Sequence, residues 1–159
     1  MNSIYNSIDL LQSNGFEGGI SIATLKSSCS MLPDKPGVYL ITKEIEQQFS
    51  FLEVGTGGHY KEKNPNVPIQ ELQENWVQDT IVVYIGKATS LQSRLRQYMQ
   101  FGSGKKIGHW GGRYIWQLSN ADELLVWWKE VDNPRDAEKE LIKNFKQQYN
   151  VRPFANLQD

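Results

Sequence analysis

The stretch TIVVYIGKATSLQSRLRQY, residues 80–98, changes its period halfway. Residues 80–86 form a near-continuous apolar run rich in β formers, which predicts a central strand covered on both sides. After Gly86 the apolar positions fall at Leu91, Leu95, Tyr98 and Met99, one side of a helix that Ser90 or Thr89 can cap. A strand feeding a helix is therefore the seed of the fold. Upstream, Pro33 and Pro36 punctuate the approach to a second apolar run, VYLI at 38–41. Downstream, ELLVWWKEV at 123–131 reads as a third strand. Asn133-Pro134 then opens a helix that AEKELIKNFKQQY, residues 137–149, continues.

The remaining segments fit around these. Residues 1–35 read as a helical N-terminal extension, with Ile8 and Leu11 before a Gly15, Gly18, Gly19 break and Ile22 and Leu25 after it. Residues 43–79 form an insertion between the first two core strands. Phe49 to Val54 can add a short strand, GTGGHYKEKNPNVP at 55–68 is an irregular loop, and Ile69, Leu72 and Trp76 mark a helical piece. Five glycines between Phe101 and Gly112 demand a flexible or tightly turned connection, followed by a helical turn at 112–118. The expected architecture is α/β (α+β): a small, mostly antiparallel three-stranded sheet flanked by helices. Residues 1–159 are expected to form a single domain, with the core at 36–156.

Composition bounds the function. The 159 residues are 39% hydrophobic and include five Trp, six Phe and seven Tyr, enough for a packed core. No run approaches 18 apolar residues, and MNSIYNSIDL lacks the charged and apolar regions of a secretory signal. A cytoplasmic protein with no membrane partner is the expectation. Cys29 is alone, which excludes an internal disulfide and a cysteine metal cage. The formal charge of -1 hides an uneven distribution, with -5 over residues 1–83 and -2 over 114–159. Between them Lys87, Arg94, Arg96, Lys105, Lys106 and Arg113 stand without a single carboxylate, a net +6. Local positive potential of this kind suits a phosphate backbone, although a solvated charged face would read the same way.

Three groups of residues can carry chemistry. Gly37-Val38-Tyr39 and Tyr84-Ile85-Gly86 lie on strands that can pair, bringing two phenols together while the glycines keep backbone accessible; paired phenols can also be purely structural. Arg94 and Tyr98, four apart, share a helix face. The planar guanidinium can donate two parallel hydrogen bonds to a phosphate, or it can snorkel over the apolar face. Glu138 precedes Leu141, Ile142 and Phe145 by three, four and seven residues, so it sits on the inward stripe while Glu140 points elsewhere. A buried carboxylate needs a positive partner, which can be a metal ion, an arginine or a lysine.

GVY at 37–39, YIGKA at 84–88, Arg94, Glu138 followed by Leu141-Ile142, and Pro153 to Asn156 together resemble the GIY-YIG nuclease family. Residues 84–98 in particular are similar to the N-terminal incision domain of the bacterial nucleotide-excision-repair endonuclease. The resemblance implies a metal-dependent DNA endonuclease that leaves a 5′-phosphate and a 3′-hydroxyl. Glu138 would ligate one divalent ion, Mg²⁺ or Mn²⁺, and Tyr39 would act as or position the general base, helped by Tyr84 and Lys87. Arg94 would stabilise charge on the phosphate, and Tyr98 would hydrogen-bond the phosphate or the tyrosine cluster. Asn156 would tie the tail to the wall of the site, with Asn150 as a competitor for that place. Gly37, Gly86, Arg96, Lys105, Lys106, His109, Arg113 and Asn156 are the expected substrate-binding positions. His109 is a candidate proton shuttle or phosphate contact, and Trp110 and Trp116 are candidate base-stacking residues.

Two other readings use the same residues: a nucleic-acid-binding module without turnover, and a structural protein-interaction domain. No zinc finger or helix-turn-helix signature is present. Specificity would come from a DNA structure or lesion, or from a protein partner.

Overall fold

A computed structural model describes residues 2–158. Among these described residues nine regular elements follow in order: α1 (Ile8–Ser13), β1 (Glu17–Ser21), α2 (Ile22–Ser27), β2 (Gly37–Thr42), α3 (Ile69–Asn75), β3 (Val82–Ala88), α4 (Leu91–Gly102), β4 (Leu125–Glu130) and α5 (Pro134–Tyr149). Short 3₁₀ turns occur at Tyr60–Glu62, Arg113–Gln117 and Ala121–Glu123. Among the described residues no helix is long and apolar enough to cross a membrane.

The fold is α+β, built on an antiparallel sheet in the order β1-β4-β2-β3. Four strands replace the three expected. The extra one is β1, inside the segment read as a helical extension. Gly18 and Gly19, which look like a helix break, have φ of +108° and +68° and sit at a register shift in the strand. A Cβ at either position would run into the rings of Trp128 and Trp127. The glycines are there so that β1 can pass beneath two tryptophans of β4 at a conformation L side chains avoid.

β2 lies between β4 and β3, and all six of its residues are buried because both faces are covered. Alternation sorts its side chains. Val38 and Leu40 join Val82, Ile85 and Trp127 against Ile142 and Phe145 of α5, with Tyr5, Leu11 and Phe16 completing that layer. Tyr39 and Ile41 face the other way, into a layer with Leu91, Leu95 and Tyr98 of α4 and Ile22 and Leu25 of α2. Ser90 caps α4 by accepting a hydrogen bond from the Ser93 amide, and Asn133 caps α5 by accepting from Asp136.

β3 is an edge strand, and the C-terminal tail closes its open side. The Ala155 amide donates to the Val83 carbonyl at 2.9 Å. The Asn156 carboxamide forms a matched pair with Ile85, donating to its carbonyl at 2.9 Å and accepting from its amide at 3.0 Å. A side chain thus imitates a neighbouring strand. Asn150 instead ends α5 in the left-handed conformation, exposed, and holds no part of the tail.

Residues 43–79 pack back onto the molecule. Gln117, 1% exposed, is the peg: its amide donates to the carbonyls of Leu52 and Val67, and its oxygen accepts from the Val67 amide, all at 2.9 Å. The short strand expected at 49–54 amounts to one bridge, Phe51 to Leu118. Replacing Gln117 by Leu keeps the volume but strands three backbone groups. The expected cost is roughly 1–3 kcal/mol, read by urea denaturation, with cleavage within residues 50–68 appearing early in limited proteolysis.

Candidate active site

Pairing of β2 with β3 sets Tyr39 opposite Gly86. The Tyr39 ring occupies the space that a Cβ on Gly86 would take. Gly86 is therefore a seat for a phenol, and its backbone is not open to substrate. Gly37 is likewise filled in, by the Lys129 carbonyl and Leu91. The expectation that both glycines expose backbone to substrate is corrected on this point.

Around Tyr39 the chain assembles a cluster of rings. Tyr84 meets it edge-on with centroids 6.0 Å apart, and Tyr98 of α4 lies 5.7 Å from Tyr84. His109 stacks on Tyr98 at 4.1 Å, with its Nε2 3.4 Å from the Tyr39 hydroxyl. The Tyr98 hydroxyl donates to the Gly112 carbonyl at 2.7 Å. Tyr39 is 1% exposed, Tyr84 7%, and Tyr98 and His109 are fully buried. Residues 108–112 form the roof over this cluster.

Burial dominates its titration. It pushes Tyr84 up to about 12, and a hydrogen bond from Tyr39 together with the charge of Arg94 keeps it from rising further. Tyr39 and Tyr98 are raised well above the usual phenol range, again by burial first. Burial, then Arg94, lowers His109 to about 3, so its imidazole is neutral at ordinary pH. The His109 Nδ1 is buried and has no hydrogen-bond partner among the described residues.

The charged residues stand on two helices. Arg94, half-buried on α4, donates to the Gln97 carboxamide at 3.3 Å, and its charge is felt by Tyr39, Tyr84, Tyr98 and His109. Glu138 is in the first turns of α5, with its side chain 15% exposed, and its charge is felt by Tyr39 and Tyr84. Its partner is a lysine: Lys87 Nζ lies 3.1 Å from the Glu138 carboxylate. Arg94 and Glu138 are thus engaged with other residues and not with each other.

No group of three or more His, Cys, Asp or Glu side chains able to hold a metal occurs among the described residues. A single carboxylate nevertheless fits Mg²⁺, which commonly takes one or two carboxylates and completes its shell with phosphate and water. Lys87 is half-exposed and held by that one ion pair, so its ammonium can swing aside from the carboxylate.

The other expected contacts separate into two sets. Arg96, Lys105 and Lys106 are exposed. Arg113 is half-buried, stacked 4.8 Å from the Trp110 ring and donating to the Trp110 carbonyl at 3.4 Å, so it braces its own loop. Asn156 pairs its carboxamide with Ile85, which ties the tail to the sheet edge. Trp116, expected to stack on bases, is 1% exposed and fills the core beside Tyr98 and Gly102.

One set of residues escaped the sequence reading. The Gly58 amide donates to the Phe101 carbonyl, the Thr56 amide donates to the Trp116 carbonyl, and Tyr60 packs beside Gly108. The Tyr114 hydroxyl also donates to the Glu71 carboxylate. The insertion therefore buttresses the segment that carries His109. The crowded GTGG at 55–58 was the available signal, since glycines at that density permit close backbone approach.

Residues 74–150 match the family model described as the GIY-YIG catalytic domain. The match begins downstream of β2, which pairs with β3 inside the matched stretch. It points to nuclease activity for this part of the chain. Comparison with curated proteins and comparison with solved structures each find no match.

The buried neutral His109 makes stability depend on pH. Its folded pKa lies below the unfolded value near 6.5, so between those values the unfolded chain holds a proton that the folded one does not. Stability must fall as pH drops below about 6.5. In denaturation curves from pH 6.5 to 5, the wild type is expected to lose about 2 kcal/mol more than His109→Gln. Parallel losses in the two proteins would show that His109 does not carry the effect.

Proposed function

We propose that this protein is a metal-dependent DNA endonuclease that hydrolyses a phosphodiester to 5′-phosphate and 3′-hydroxyl ends. One observation carries the reading: Tyr39 and Tyr84 meet edge-on beneath His109, and Lys87 on the same strand as Tyr84 pairs with Glu138 of α5. Folding asks for a core at this place; it does not ask for an imidazole stacked on one phenol and facing the hydroxyl of another. The likeness of residues 84–98 to the excision-repair incision domain favours DNA as the polymer, and a DNA lesion or structure as its feature. A protein partner is the other source of specificity.

Glu138 would hold Mg²⁺ or Mn²⁺, which would neutralise the scissile phosphate and stabilise the departing 3′ oxygen. Lys87, displaced from Glu138, turns to the phosphate, and Arg94 donates to its non-bridging oxygens as charge develops there. Tyr84 keeps some solvent contact and is the phenol that the attacking water meets first. Tyr39 stands behind it, as or positioning the base, and His109 stands behind Tyr39. The water oxygen bonds to phosphorus as the bond to the 3′ oxygen breaks. The water, positioned by Tyr84 and Tyr39, gives its proton up to solvent, and the 3′ oxygen takes a proton from solvent. Tyr98 holds the imidazole ring by stacking.

The burial of Tyr39 and His109 favours a second reading, a DNA-binding module without turnover. Nicking of supercoiled plasmid in Mg²⁺ separates the two. Wild type is expected to nick, with Glu138→Gln and Arg94→Ala each slower by roughly 10²–10³ and melting temperatures preserved. Full activity in both variants defeats the assignment, and binding without nicking in the wild type supports the module.

A further inference from the structure

α4 carries two cationic faces. Arg94, Gln97 and Tyr98 form one, turned to the tyrosine cluster. Arg96, Met99, Gln100 and Ser103 fall at i, i+3, i+4 and i+7 and form another, which lines a cleft of about 380 Å³ between α4 and the end of α2. Lys26, Ser27 and Ser28 of the α2 end also line it, as does Lys105. Three positive residues line the cleft and no acidic one does.

The state of these groups matters more than their number. Lys26 is held by Asp122 at 2.7 Å and lies over the Trp116 ring, so its position is fixed by the fold. The side chains of Arg96, Lys105 and Ser27 have no hydrogen-bond or ion-pair partner among the described residues. A guanidinium, an ammonium and a hydroxyl are thus directed at one concave surface with their donors unused. Backbone phosphate is the ligand chemistry that uses them together.

We infer that the α2–α4 cleft is a second phosphodiester-binding site, which grips the DNA backbone away from the scissile bond. This rests on the reading of the protein as one that acts on DNA. The site would include α2, which lies outside the stretch that matches the catalytic-domain model. Contacts to phosphate position the polymer and read no bases, so the cleft strengthens binding equally on all sequences.

The test is fluorescence anisotropy of the full chain with labelled duplexes of two unrelated sequences, over a series of salt concentrations and without divalent metal. Arg96→Ala/Lys105→Ala is expected to weaken binding severalfold on both duplexes and to reduce the slope of log K against log salt by about 2. Ser27→Glu, at an exposed position at the end of α2, is expected to weaken binding as well. Lys139→Ala/Lys143→Ala on α5 removes the same formal charge and is expected to leave the slope unchanged. An unchanged slope in the Arg96/Lys105 variant overturns the proposal, as does an equal fall in the α5 control. Absence of DNA binding by the wild type overturns it too. A slope change without nicking by the wild type upholds the cleft and defeats the nuclease reading; nicking with no slope change defeats the cleft alone.

Discussion

The pairing of Tyr39 with Gly86 across β2 and β3 is the constraint on which the site depends. A phenol can lie flat across the neighbouring strand only where that strand has no side chain in the way, and Gly86 provides that space. Once the ring is seated, its hydroxyl is directed toward His109 and its edge toward Tyr84. The same registration places Lys87 one residue further along β3, on the α5 side, where it meets Glu138. A one-residue slip would turn Tyr39 to the opposite face of the sheet and dissolve the cluster.

Electrostatics then sorts the buried groups. A phenol and an imidazole can be buried because their neutral forms are tolerable, whereas a carboxylate cannot be buried alone. Glu138 accordingly keeps some solvent contact and a lysine. Arg94 remains half-exposed with only a carboxamide for a partner, so its charge acts on four aromatic groups without being neutralised by a carboxylate. The interior of the site is consequently uncharged, with its positive and negative groups at the rim. That arrangement suits an anion arriving from solvent.

Much of this is legible in the sequence because it depends on local order. The run from Thr80 to Gly86, the capped helix after Ser90 and the Pro134 helix each carry their own period and punctuation. The inward placement of Glu138 follows from Leu141, Ile142 and Phe145 alone. What escapes depends on distant partners. Gly18 and Gly19 look like a helix break until Trp127 and Trp128 are set above them. Gln117 is unremarkable in sequence, yet it holds the insertion through Leu52 and Val67. Trp116 reads as a surface aromatic beside a basic run, and only packing shows it to be core. Asn156 stands out three residues after Pro153, while its strand-like pairing with Ile85 needs the edge of the sheet to be visible.

In the proposed reaction, side chains from separate elements act on one phosphodiester as a unit. A double-mutant cycle in single-turnover cleavage tests it most directly, using Tyr39→Phe, Glu138→Gln and the combination. Residues that serve the same step are strongly non-additive, so the double variant is expected to be about as slow as the slower single one. A double variant slowed by the product of the two single losses would mean that Tyr39 and Glu138 act independently, and would contradict the account.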